Sequence, residues 1–157
     1  MATPTTQELG AIARTIIDSN NYMTLGTADE NGLPWPSPVW YAPSEYREFF
    51  WVSSPDVRHS RNLAARPELG IVIFDSTVPV GAGQGVYMSA IAEQLTDDKL
   101  DRGIEIFSRR SEVKGARVWT PDEVAPPSPY RLYRATVSEH SMLDPVAAPN
   151  RRTIVTP

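Results

Sequence analysis

The densest chemical signal in the chain is Ser53-Ser54-Pro55-Asp56-Val57-Arg58-His59-Ser60-Arg61-Asn62. An aromatic-rich, strand-like run over residues 47–53 ends there in hydroxyls. Ser54, Pro55 and Asp56 then suit the N-cap, N1 and first-turn positions of a helix. That helix is predicted to run to about Ala65, with Pro67 as its stop. A helix start offers backbone amides with no intrahelical partner and a positive partial charge. Arg58, His59 and Arg61 crowd the first two turns. Hydroxyls, free amides and guanidinium forks together are what a phosphate group requires. The same residues equally suit a capped surface helix with solvated arginines, and spacing alone leaves both readings open.

Other chemistries are excluded by what the sequence lacks. There is no Gly-x-Ser-x-Gly elbow, no His-Glu-x-x-His pair and no Walker loop. Gly81-Ala82-Gly83-Gln84-Gly85 is glycine-rich but leads into a strand, so it is not a dinucleotide-binding loop. The absence of cysteine rules out disulfides, zinc–thiolate sites, iron–sulfur clusters and a thiol nucleophile. Two histidines, His59 and His140, leave little room for a metal site, and none is expected. Both lie among polar sequence neighbours, and no side chain stands out as a catalytic acid, base or nucleophile.

The 157 residues, 41% apolar and 22% charged, are expected to form one globular domain. A net charge of −4 repels phosphate backbones, so no nucleic-acid partner is expected. The basic residues are thirteen Arg and two Lys, which favours planar, bidentate anion contacts. No secretory signal is legible, and apolar runs fall far short of the ~20 residues a membrane helix needs. The expectation is a cytoplasmic protein with no membrane association.

The elements that must position the phosphate-like signal are legible from period and punctuation. Residues 5–20 read as a helix: Thr5 and Glu8 have capping-box spacing, and Leu9, Ile12, Ala13, Ile16 and Ile17 form one apolar face. Residues 22–28 and 33–42 alternate with period two around Asn31-Gly32, a strong hairpin signal. In the second of these strands Pro34, Pro36 and Pro38 remove every other amide donor, so it must be an edge or have its N–H positions facing away from the ladder. Strands are also predicted at 69–75, 84–95 and 130–137, with the first of these central. A helix capped by Thr96 and a one-turn helix at Thr120-Pro121-Asp122-Glu123 complete the order. Residues 147–157 read as a tail without a period. About six mostly antiparallel strands with peripheral helices make a mostly β protein, a small barrel with accessory helices.

Three segments then combine: Leu25-Gly26-Thr27 with its Asn31-Gly32 turn, Pro36-Ser37-Pro38-Val39-Trp40, and Arg58-His59 followed by Asn62-Leu63 at a helix start. In this order they resemble the pyridoxamine 5'-phosphate oxidase-like, FMN-binding split barrels. Gln84-Gly85-Val86-Tyr87 is similar to that family's glutamine segment, and Phe107-Ser108-Arg109-Arg110-Ser111 to its later phosphate-side motif. The resemblance covers residues 8–140, nearly the whole of a single domain spanning 1–157.

The resemblance implies a homodimer with FMN at the subunit interface, acting on a small-molecule substrate by hydride transfer at flavin N5. Carried over by position, Arg58 and His59 take the place of a phosphate-binding Arg-Lys pair. Histidine there departs from the family and makes phosphate affinity depend on pH. Ser53 matches a hydroxyl at the strand end, and Ser37, Pro38, Val39 and Trp40 the strand along the isoalloxazine. Gln84 is implied at the ring's polar edge or phosphate side, and Arg109 in a motif supplied by the partner subunit. Trp51 is expected in the core and Trp40 against the flavin. The end of the chain does not match the oxidase's substrate-gripping segment, so vitamin B6 is not implied as substrate. Two alternatives share the fold: a deazaflavin-dependent reductase, for which Arg58, His59, Arg61 and Arg66 offer a basic groove, and a non-catalytic flavin-binding sensor dimer.

Overall fold

A computed structural model describes residues 3–144 and 149–157. The first helix, α1 (Thr6–Ser19), starts where the capping box places it: Thr5 Oγ accepts from the Glu8 amide, and the Glu8 carboxylate accepts from the Thr5 amide. Its buried side chains are Leu9, Ala13 and Ile17. The Asp29–Gly32 turn closes β1 (Tyr22–Ala28) onto β2 (Pro34–Trp40), with Gly32 at φ 84°, a conformation that favours glycine. Then follow β3 (Ala42–Ser44), β4 (Glu48–Ser53), α2 (Arg58–Ala65), β5 (Glu68–Phe74), β6 (Gly85–Gln94) and α3 (Asp97–Val113). A 3₁₀ turn at Pro121–Val124, β7 (Arg131–Leu143) and β8 (Arg152–Val155) end the chain.

All strands belong to one antiparallel sheet in the order β2-β1-β5-β6-β7-β4-β3, with β8 on β7. The proline-studded β2 is the outermost strand and pairs only with β1, because alternate residues have no amide to offer a second neighbour. As expected, β5 is interior to the sheet, between β1 and β6. The long β7 pairs with β4 through its first half and with β8 through its second, while β6 runs along its other edge.

The sheet curls into a half-barrel around a core of Met23, Leu25, Phe49, Trp51, Ile73 and Val86, with the apolar face of α1 packed against it. A second cluster lies on the opposite face of β3, β4 and β7. There Phe50 and Leu132 meet Leu100, Ile104 and Phe107 of α3. The two clusters follow from period-two alternation in β4, whose Phe49 and Trp51 point one way and Phe50 the other.

The strand count differs from expectation: eight strands form among the described residues, not about six. β3 has three residues and β8 four, too few to show a period. β8 lies within the stretch expected to be a structureless tail, whose residues 147–148 fall outside the described residues. β7 also continues six residues past its predicted end.

Candidate functional site

Directly opposed residues of paired strands share a face. Met23, Leu25 and Thr27 of β1 face Val39, Ser37 and Trp35 of β2, so this face of β2 turns toward the buried side of β1. The three prolines lie on the other face. Ser37 comes from β2, and Ser53 ends β4.

His59, in the first turn of α2, lies between these two serines. Ser37 Oγ is 3.0 Å from Nδ1, and Ser53 Oγ is 2.9 Å from Nε2. The ring is 8% exposed, and burial holds its pKa below the ordinary imidazole value. At neutral pH it is therefore uncharged, with one ring nitrogen donating and the other accepting. Its partners are polar, as its sequence neighbours suggested, but its burial was not legible there. His140 is buried too, with Nε2 2.6 Å from the Tyr46 carbonyl oxygen.

Arg58, half-buried, stacks its guanidinium over Trp35 at 4.3 Å from the ring centroid. Trp35 is an outlying aromatic, 39% exposed, that carries the site's cation. Period-two alternation with Ser37 was the signal that placed it on this face. Asn62 Nδ2 donates to Thr27 Oγ1 at 3.0 Å, and that hydroxyl donates to the Trp35 carbonyl at 3.2 Å, tying α2 to the hairpin.

The helix begins later than Ser54. Residues 54–57 form a turn in which Ser54 Oγ accepts from the Asp56 amide, and the Arg61 guanidinium donates to the Asp56 carbonyl. Val57 occupies the N-cap and makes no side-chain cap. The first-turn amides of α2 thus have no side-chain acceptor among the described residues. Ser60, one turn in, is buried with its side chain on the Tyr133 side of the helix. An uncapped helix start beside an arginine and two serine hydroxyls suits an anion.

The structure brings Ser37, Ser53, Arg58 and His59 together and leaves the other candidates apart. Trp40 is turned toward α3: its ring meets Phe107 edge-on at 6.4 Å, and Nε1 donates to Ser111 Oγ at 3.3 Å. Val39 is buried in the core, and Pro38 is exposed. Gln84 is half-buried just before β6, and Arg109 is exposed on α3 in an ion pair with Glu105. No hydrogen bond among the described residues joins either to the Ser37–His59–Ser53 group. Trp51 is in the core as expected, stacked on Tyr133 at 5.5 Å.

The outer face of the sheet has its own relief. Pro36, Gly26, Gly70 and Ser89 lie in register across four strands, a row almost without side-chain bulk. It floors a groove of about 870 Å³ rimmed by Trp35, Leu69 and Ile91. A neighbouring groove of about 370 Å³ holds Tyr87, with Arg152 stacked on its ring at 3.9 Å.

A curled antiparallel sheet with an anion-ready helix start beside its proline-bearing edge hairpin is the arrangement of a split barrel. The chain belongs to the pyridoxamine 5'-phosphate oxidase family, whose model matches residues 10–144. It is similar in fold to a heme-binding protein from Mycobacterium smegmatis, at 22% identity and a TM-score of 0.73, covering 99% of this chain and 60% of that one. The chain thus spans only part of that protein's length. It is also similar to an FAD-binding protein from Mesorhizobium loti (19% identity, TM-score 0.60, 84% and 91% covered). An F420 reductase shares 14% identity at a TM-score of 0.60, with 82% and 94% covered. No curated protein matches the chain. Among the described residues no helix is long and apolar enough to cross a membrane.

Proposed function

We propose that the chain is an FMN-binding oxidoreductase, active in the cytoplasm as a homodimer on a small organic molecule. The observation that carries this reading is the uncapped start of α2 beside Arg58, Ser37 and Ser53. These groups fit a phosphate monoester: amides and hydroxyls donate, and the guanidinium supplies a planar, charged fork. Bound there, FMN would supply hydride transfer at its N5. The protein's part is to hold and orient it. Arg58 anchors the phosphate, Trp35 fixes the guanidinium plane, and the amide-less face of β2 leaves carbonyls free toward a ligand instead of a strand.

The outer sheet face supports the homodimer reading. Its flat floor of Gly26, Gly70 and Ser89 admits a close neighbour, and Tyr22, Phe74 and Ile91 are more than half exposed around it. Such an apolar surface favours a second copy over solvent. Arg109 and Gln84, apart from the serine–histidine group within one chain, would act from or toward the partner's site.

Two ligands borne by relatives of this fold are less well served. Heme needs an axial ligand; both nitrogens of His59 are engaged by serines, and His140 is buried with Nε2 against the Tyr46 carbonyl. Deazaflavin's longer anionic tail would need Arg61 and Arg66, but these bind the Asp56 and Glu30 carbonyls.

The decisive experiment is the visible spectrum of the purified protein and of the supernatant after heating. Released FMN, identified by mass and reducible on the protein by a nicotinamide, supports the proposal. A deazaflavin spectrum transfers the fold to that cofactor. Bound FMN that no donor reduces points to a sensor, and a colourless protein that takes up no FMN overturns the reading.

A further inference from the structure

A neutral imidazole has one N–H and one bare nitrogen, so it can donate to only one of two flanking hydroxyls. With the proton on Nε2, His59 donates to Ser53 and accepts from Ser37; with it on Nδ1 the roles exchange. A serine that accepts from the ring keeps its own proton for another acceptor. A serine that donates to the ring has none left. The tautomer therefore selects which strand, β2 or β4, presents a hydroxyl donor to a ligand. A doubly protonated ring donates to both serines and frees both hydroxyl protons.

We propose that His59 is a positioning residue, a proton relay that turns Ser37 and Ser53 toward an incoming anion, and that a phosphate monoester draws a proton onto the ring as it binds. This rests on the reading that such a group occupies the start of α2. The charged groups near the ring are Arg58 and Arg61 on its own helix and Asp56 in the preceding turn. From the strands packed against it, β2 and β4 bring serines, and β1 brings Thr27 by way of Asn62. No ion pair reaches the imidazole among the described residues, and burial keeps it neutral. An arriving dianion reverses that balance, giving the ring a counter-charge and the freed hydroxyl protons an acceptor. A lysine at this position would carry a fixed charge and could not relay.

The test is calorimetric titration of FMN into the wild type, His59→Lys and His59→Gln between pH 6 and 8, each in two buffers of different ionisation enthalpy. The ring's ¹⁵N shifts are followed in the wild type. The phosphate of FMN titrates near pH ~6 itself, so proton uptake is read as the difference from His59→Lys. The wild type is expected to take up additional protons. Its affinity should rise as pH falls more steeply than that of either variant, by up to about tenfold per pH unit for one full proton. The ¹⁵N shifts should report a neutral ring that becomes charged on binding. Equal uptake in wild type and His59→Lys, with FMN bound to both, would overturn the relay and leave the phosphate site standing. A wild type that binds no FMN would overturn the site reading and the relay with it. A ring already charged at pH 7 without FMN would overturn the relay whatever the variants do.

Discussion

In the proposed site Arg58 is the cation, and its guanidinium already lies over the Trp35 ring. Replacing it with Ala removes a charge-assisted hydrogen bond, and FMN is expected to weaken by about 1.5–3 kcal/mol, roughly ten- to a hundredfold. Quenching of flavin fluorescence on titration reads this directly, and unchanged affinity would take Arg58 out of the site. Gly10 makes a different demand. A Cβ built there would stand 2.4 Å from the Thr156 carbonyl oxygen, so α1 and the segment after β8 approach with no room for a side chain. Gly10→Ala is expected to cost about 1–3 kcal/mol through the backbone shift it forces. An unfolding midpoint in urea equal to wild type would show that this segment detaches freely. The residue types of the site were legible in sequence, since Ser53, Arg58 and His59 crowd one strand-to-helix junction. The partnership of Ser37 with His59 was not. It spans 22 positions and depends on the register of β2 with β1 and on the late start of α2. The place of Trp40 was hidden for a related reason: one position past Val39 it falls on the other face, where Phe107 and Ser111 receive it within one chain.

Helix α1 shows how far an element's ends reach beyond its own sequence. Its N-terminus is self-capped by Thr5 and Glu8, but its last turn carries no basic residue. Arg110 of α3 supplies one, donating to the carbonyls of Asp18 at 3.1 Å and Asn20 at 3.2 Å, with Tyr41 Oη on Ile17 O at 2.6 Å. Cations at a helix C-terminus also meet the negative end of its dipole. Arg110→Ala should destabilise the fold by about 1–3 kcal/mol and speed amide exchange in the last turn of α1 above that of the first. Uniform exchange along the helix would mean that α3 contributes no cap. Long periodic elements were readable because each carries its own signal: α1, the β1–β2 hairpin, β5 and β6 lie within a residue or two of their predicted places, and α3 starts after Thr96 as predicted. The edge position of β2 was readable for the same reason, as its prolines state it locally. The elements that escaped are defined by partners instead. β8 exists because β7 outruns β4 and needs a neighbour for its second half. The start of α2 shifted because Ser54 spends its hydroxyl on the Asp56 amide inside a turn and does not cap the helix.

At the scale of the molecule, the outer sheet face and the buried histidines each make a demand. The Cβ of residue 70 would meet nothing within 4 Å, so Gly70→Arg should leave the monomer folded and break a dimer built on that face. Sedimentation would show the change in mass, and an unaltered mass would move the interface elsewhere. The pH dependence of stability tests the interior. Burial holds both His59 and His140 below the ordinary imidazole value, opposed at His140 by the Tyr46 carbonyl and reinforced by Arg47. With folded values below the unfolded value of about 6.5, the unfolded chain binds more protons in that range. Stability is therefore whole above about pH 6.5 and declines as pH falls through the folded values. A second loss follows at lower pH. Burial disfavours the charged forms of Glu48 and Glu93, but Arg102 and Arg134 at the first, and Arg134 and Lys99 at the second, outweigh it and hold both carboxyls below their usual value. That stability disappears as pH drops below about 4.3. Urea midpoints measured from pH 8 to 2 should fall in these two stages. His140→Gln should reduce the first stage, because a neutral amide cannot gain the proton. A midpoint flat from pH 8 to 5 would mean that the imidazoles are not sequestered. Saturating FMN should also shrink the first stage, since a phosphate beside His59 accommodates the charged ring that burial alone rejects. If the FMN-induced rise in midpoint changes between pH 8 and pH 6 by the same amount in wild type and His59→Lys, binding is not coupled to the protonation of His59.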